Sequence, residues 1–130
     1  HLARTYFMYA MGIDSTRWTA HLVDGRLVSD YDHRQEPVYA QLRDAFRVVR
    51  EVGGGRIHSF GKPATVHMGG GARIGADAQH GVVDHRGEVY GNPGLFVADG
   101  SALPAPTGGP PSLAIAAWAH HVADGMASRP

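Results

Sequence analysis

Residues 91–113 constrain the fold of this chain more than any other stretch. Gly91-Asn92-Pro93-Gly94 leads into the apolar run Leu95-Phe96-Val97-Ala98. Asp99-Gly100 then turns the chain, and Thr107-Gly108-Gly109-Pro110-Pro111-Ser112-Leu113 opens a helix. An apolar run bounded by turn residues predicts a short buried strand at 95–98, and proline predicts a helix start at Pro111. A strand end delivered beside a helix start leaves backbone amides and the positive end of the helix dipole facing outward. That junction suits the anionic parts of a bound cofactor.

The length of 130 residues supports one compact unit with a modest core. Twelve lysines and arginines balance twelve aspartates and glutamates, so no net field draws the surface toward nucleic acid or acidic lipid. Binding is expected to depend on local sites. The absence of cysteine excludes disulfides, thiolate metal sites and a cysteine nucleophile, so redox chemistry would have to come from a cofactor. No apolar run is long enough for a membrane span and no charged-then-apolar leader opens the chain, so it reads as soluble, with the cytoplasm the favoured compartment. The start at His1, directly before a strand-like run without an earlier partner, predicts a piece of a larger protein.

That first run, Tyr6-Phe7-Met8-Tyr9-Ala10-Met11, is apolar and β-prone and predicts a strand. Trp18, Ala20 and Leu22 alternate with polar neighbours over residues 17–23, and a second run covers 26–31. Asp24-Gly25 between them predicts a β-hairpin. Val38, Leu42, Ala45, Phe46, Val49 and Val52 recur at helical spacing and predict a helix over 37–52, started by Pro37 and stopped by Gly53. The glycines at 53–55 and Pro63 mark a change of direction, with a seam near 60–66. Beyond it, Thr65-Val66-His67 predicts a strand running into a glycine turn at Gly69, Gly70 and Gly71, with short strands near 82–83 and 88–89. The final helix is apolar nearly all round over 113–119, which predicts burial between layers, and Asp124-Gly125 is its expected end. The fold class is α+β, with a hairpin, two main helices and short strands.

Nine histidines invite a metal site, but no pair has the i, i+4 spacing that converges on one ion, and His120 and His121 point about 100° apart on a helix. No metal is expected. Ser59, Ser101 and Ser112 lack the Gly-x-Ser-x-Gly elbow of a hydrolase nucleophile. The run Gly69-Gly70-Gly71 lacks both the Lys-Ser/Thr of a phosphate loop and the Gly-x-Gly-x-x-Gly order, so on pattern alone it is a tight turn. His67 ends a strand-like run at a turn where glycine lets backbone approach a ligand closely; structural and catalytic roles both stand open. Asp99-Gly100 is likewise either a turn in which aspartate binds its own backbone or a cofactor-facing strand end.

Four stretches carry a family resemblance. They are Thr65-Val66-His67 with its glycine turn through Gly75; Gly81-Val82-Val83-Asp84-His85-Arg86-Gly87; Gly94-Leu95-Phe96-Val97-Ala98-Asp99-Gly100-Ser101; and Pro111-Ser112-Leu113-Ala114-Ile115-Ala116-Ala117. In order and spacing they resemble the C-terminal part of the glucose-methanol-choline (GMC) family of FAD-dependent oxidoreductases, in its cholesterol-oxidase-like branch. The resemblance is strong over about residues 63–126 and weaker before them. It implies a two-domain enzyme, an FAD-binding Rossmann-like domain plus a substrate domain. Residues 1–64 would close the substrate-binding domain and residues 65–130 would be the closing segment of the FAD-binding domain.

The implied reaction is oxidation of the CH-OH group of an alcohol, with a sterol-like substrate in view and hydride passing to flavin. His67 matches the active-site histidine that takes the hydroxyl proton, a task suited to a neutral imidazole. Asp99, Gly100, Pro111 and Ser112 match the cofactor-contacting turn and helix start. The sequence departs from the family at Pro110, where many relatives carry asparagine or histidine, at Met68 in place of proline, and at Ala72 in place of cysteine. Pro110 removes one of the two polar side chains expected above the flavin. The family's glycine-rich dinucleotide motif has no counterpart in these residues, so FAD binding is expected to need an N-terminal portion. Apolar surface exposed toward that portion would favour a homo-oligomer. The alternative reading is a free-standing, non-catalytic binding module derived from this fold.

Overall fold

The computed structural model describes residues 5–15, 18–59 and 61–128. Length alone leads to one compact unit, but the chain forms two, His1–Pro63 and Ala64–Pro130.

In the first unit, β1 (Ala20–Val23) and β2 (Arg26–Ser29) pair antiparallel, with Leu22 opposite Leu27 and His21 opposite Val28. The expected hairpin is present because Asp24 and Gly25 both take left-handed backbone, φ 49° and 73°. This is the two-residue geometry whose twist matches that of the strands. Asp30 closes the open end, its carboxylate accepting from the Thr19 N–H at 2.6 Å and the Thr19 hydroxyl at 2.8 Å. Every residue of both strands is exposed.

α1 (Pro37–Gly53) starts at proline as expected, but stops one residue later than read from the sequence. Gly54, at φ 63°, is the left-handed cap, and its N–H bonds the Arg50 carbonyl. Val38 of α1 sits against Gly12, and the Tyr31 hydroxyl donates to Asp14 Oδ2 at 2.8 Å while lying 2.7 Å from the Tyr39 hydroxyl. The expected strand at 6–11 is absent: these residues have no regular structure, and the Tyr6 and Tyr9 side chains stand more than 90% exposed. β-propensity needs a neighbouring strand to take up the backbone hydrogen bonds, and among the described residues no strand pairs with these.

The second unit is mostly turns, tied by single-residue bridges between Ile74 and Val83, Val83 and Val89, and Glu88 and Phe96. The turns close tightly at Gly75 and Gly81, where a Cβ on Gly75 would lie 2.5 Å from the His80 carbonyl carbon and one on Gly81 would lie 2.5 Å from Gly75 Cα. Val83, Ala102 and Val122 are the fully buried hydrophobic residues among those described. The expected strand at 65–67 is irregular, and the strand at 95–98 reduces to one bridge at Phe96 with Leu95 more than half exposed. Frequent glycines and prolines break the ladders before they extend.

α2 (Ser112–Ala127) begins with Pro111 as its N-cap and runs past the expected stop, with Gly125 inside it. Ser128 ends the helix, its N–H bonding the Asp124 carbonyl. The expectation of burial between layers fails. Val122 is buried and Ile115, Trp118 and Ala119 are half-buried on one face, while Leu113 is 83% exposed. Among the described residues, protein packs against one side of this helix.

Candidate functional site

The structure brings three sequence-marked pieces of the second unit to one place: the glycine turn after His67, the turn at Asp99, and the first turns of α2. The central piece is a single 3-10 turn, Gly100–Ala102, capped by Asp99. Asp99 Oδ1 accepts both from the Ser101 N–H at 2.8 Å and from the Ser101 hydroxyl at 2.6 Å. These two bonds hold the carboxyl below its ordinary value, so Asp99 is ionised through the neutral range. Oδ2 keeps no partner among the described residues. The backbone-binding role of Asp99 is therefore present, and one carboxylate oxygen remains open beside it.

The glycine turn docks on this piece through its main chain. Ala72 N–H bonds the Ser101 carbonyl and Ile74 N–H bonds the Ala102 carbonyl, each at 3.0 Å. A Cβ on Gly69 would lie 3.5 Å from the Gly100 carbonyl oxygen and 3.6 Å from that of Leu103, so the two backbones are already near contact. The close approach expected of glycine here is made to the protein's own turn. His67 lies at the edge of this contact, its N–H bonding Thr65 Oγ1 at 3.0 Å. The residue is exposed, and its ring has no hydrogen-bond partner among the described residues.

On the other side, α2 packs Ile115 against Gly100. A Cβ on Gly100 would meet Ile115 Cδ1 at 3.0 Å, with the Met68 carbonyl oxygen 3.9 Å away. Gly100 thus lies between the helix and the His67 loop, a role the sequence did not signal. Pro111 is buried, and its carbonyl receives the first helical bond, from Ile115 N–H at 2.9 Å. No side chain caps the helix, so the N–H groups of its first turn, from Ser112 on, point outward without a side-chain acceptor. Ser112 and Pro110 are both exposed.

Two contacts that sequence reading missed fix the helix from behind. Trp118 Nε1 donates to the Val97 carbonyl at 3.0 Å, and His121 Nε2 lies 2.8 Å from the His85 carbonyl oxygen. The two rings stack with centroids 5.6 Å apart. Ile115, Trp118, Ala119 and Val122 share one face, but in a helix apolar nearly all round over 113–119 nothing local announces which face packs or which carbonyls it reaches. Among the described residues no three His, Asp or Glu side chains gather where a metal ion could sit, and no helix is long and apolar enough to cross a membrane.

Comparison with known proteins gives one consistent result. The family model described as GMC oxidoreductase, for the C-terminal part of such proteins, matches residues 23–119. A cholesterol oxidase of Mycobacterium tuberculosis is 46% identical over 81 residues, which are 62% of this chain and 14% of that protein. A cholesterol oxidase of Acinetobacter baumannii is 34% identical over 102 residues, 73% of this chain and 18% of that protein. A long-chain-alcohol oxidase of Arabidopsis thaliana is 39% identical over 56 residues, 43% of this chain and 8% of that protein. The chain therefore spans less than a fifth of the length of the curated relatives it matches. No solved structure matches it.

Proposed function

The chain belongs to the GMC oxidoreductase family, and from that premise we propose that it is the C-terminal part of an FAD-dependent enzyme that oxidises the CH-OH group of an alcohol, with His67 as the base. Residues 1–64 would close the substrate domain and residues 65–130 the FAD-binding domain. Cholesterol oxidases and a long-chain-alcohol oxidase among the relatives support a large apolar alcohol, sterol-like in the first instance, as substrate.

One observation carries the reading: a single turn, 99–102, holds the loop after His67 on one side and the start of α2 on the other. The donor set there fits a flavin. The uncapped first turn of α2, which begins at Ser112 after Pro111, offers the N–H groups from Ser112 on and a positive dipole end to an electron-rich ring edge. The open Oδ2 of ionised Asp99 can accept from a hydroxyl of the ribityl chain, and Gly100 keeps that turn free of a side chain. When bound, flavin supplies the two-electron acceptor for the hydride leaving the carbinol carbon. His67 takes the hydroxyl proton on a ring nitrogen as the carbonyl product forms. The exposed imidazole, with no partner within the described residues, is free to receive it. Pro110 contributes no polar side chain, so within this loop His67 acts without the usual neighbour.

In the full-length protein, His67→Ala is expected to retain flavin and to slow flavin reduction by alcohol roughly 10²–10⁴-fold. Rapid mixing of oxidised enzyme with substrate, followed by flavin absorbance, measures it. An unchanged rate removes His67 from the mechanism.

A further inference from the structure

We propose that Trp118 is a positioning residue for this chemistry, acting on the His67 loop through the Val97 carbonyl and the turn at 99–102. The proposal rests on the role given to His67 above. Two of the residues by which α2 meets the preceding chain, Ile115 and Trp118, lie three residues apart on one face and flank the Asp99 turn. Ile115 abuts Gly100, immediately after Asp99. Trp118 grips Val97, two residues before Asp99, through its indole N–H at 3.0 Å. The helix therefore holds the Asp99 turn from both ends.

The two rungs differ in kind. Ile115 makes an apolar contact, which tolerates sliding. The Trp118 bond is directional and ends on a main-chain carbonyl, so it constrains the helix against Val97 where the apolar contact does not. The ring is seated where Gly87 has no side chain, since a Cβ there would lie 3.2 Å from Trp118 Cζ2 and 3.1 Å from the Val97 carbonyl oxygen. Gly87 in turn accepts from Val97 N–H at 2.9 Å, and His121 stacks on the Trp118 ring. Displacement of the segment from Val97 to Ala102 reaches the His67 loop directly. Ala72 and Ile74 hang from the Ser101 and Ala102 carbonyls. Packing alone would accept phenylalanine at 118; the hydrogen bond is what ties helix position to loop position.

The test uses the full-length protein carrying Trp118→Phe, which keeps a ring and removes the donor, with Ile115→Ala as a second variant that loosens the other rung. Trp118→Phe is expected to lower the limiting rate of flavin reduction about tenfold with half-saturation by substrate within about twofold of the parent. It is also expected to speed hydrogen exchange at the Ala72 and Ile74 amides. A limiting rate and exchange at those two amides unchanged from the parent overturn the proposal, whatever the melting temperature does. If Trp118→Phe does not fold, Trp118→Leu, which likewise lacks the indole donor, decides in the same way. Combining Trp118→Phe with His67→Ala separates the two readings. If Trp118 works through His67, the double variant is slowed less than twofold beyond His67→Ala alone, and full multiplication of the two effects overturns the positioning role. If His67→Ala does not slow reduction, the role given to His67 falls and this inference with it; if it does and Trp118→Phe does not, only this inference falls.

Discussion

Asp99 holds its own turn through Oδ1, and acid undoes that hold. Oδ1 accepts from both donors of Ser101, so ionisation and turn formation are linked. Its folded-state pKa lies below the ordinary 3.8, with the Ser101 hydroxyl the larger cause and the Ser101 amide the next. The linkage sign follows: the stabilisation is complete above the ordinary carboxylate range and is lost as pH falls through the lowered value. Asp77, lowered chiefly by its bond to the His80 ring, and Asp32, held down to about 2 by Arg34, behave in the same sense. The Ser101 amide resonance is therefore expected to titrate with a midpoint below 3.8 and to be flat in Asp99→Asn. A midpoint above 3.8 would show that the bonds to Ser101 do not favour the charged form. At this scale the sequence was legible in part. It marked Asp99 and Gly100 as a turn, but it did not reveal that Gly100 is hemmed by Ile115 and the Met68 carbonyl, because those contacts join residues far apart in the chain.

Among the elements, those with local instructions formed where the sequence placed them. Asp24-Gly25 supplies a turn by itself, and Pro37 with a 3.6-residue apolar repeat supplies a helix by itself. Gly25 carries the hairpin at φ 73°, so Gly25→Ala is expected to destabilise it by about 1–2 kcal/mol. The measurable consequence is a roughly 5–30-fold loss of hydrogen-exchange protection in β1 and β2, with α2 unaffected. Equal loss in α2 would mean that the hairpin does not open as a separate unit. The strands expected at 6–11 and 65–67 did not form, because a strand is completed by a partner that sequence at that position cannot specify. The same reasoning explains α2. An apolar surface all round predicts burial only if protein exists on every side, and here one face is covered.

Among the described residues little is fully buried, and large apolar side chains stand exposed in both units. Leu22 and Leu27 of the hairpin are each at least three-quarters exposed, and Leu113 at the head of α2 is 83% exposed. This distribution fits the proposal that a longer protein covers them and supplies the nucleotide-binding half of the cofactor site. The purified 130-residue chain is accordingly expected to bind FAD too weakly for a flavin absorbance band to survive gel filtration. A retained stoichiometric band would show that these residues hold the cofactor without an N-terminal portion. The same experiment reads the elution volume, where the exposed apolar side chains are expected to produce dimers or larger species.

Gly75 and Gly81 impose a different kind of limit. Each occupies the volume that the other's β-carbon would need, and the obstacle is main chain, which no compensating side-chain change can trim. A variant at either position cannot be rescued by a second substitution nearby. The six-residue step between them is equally fixed, since adding or removing one residue would move the two backbones out of register. For anyone grafting loops into this protein or drifting it by random mutagenesis, the turn from Gly75 to Gly81 is the part to leave untouched.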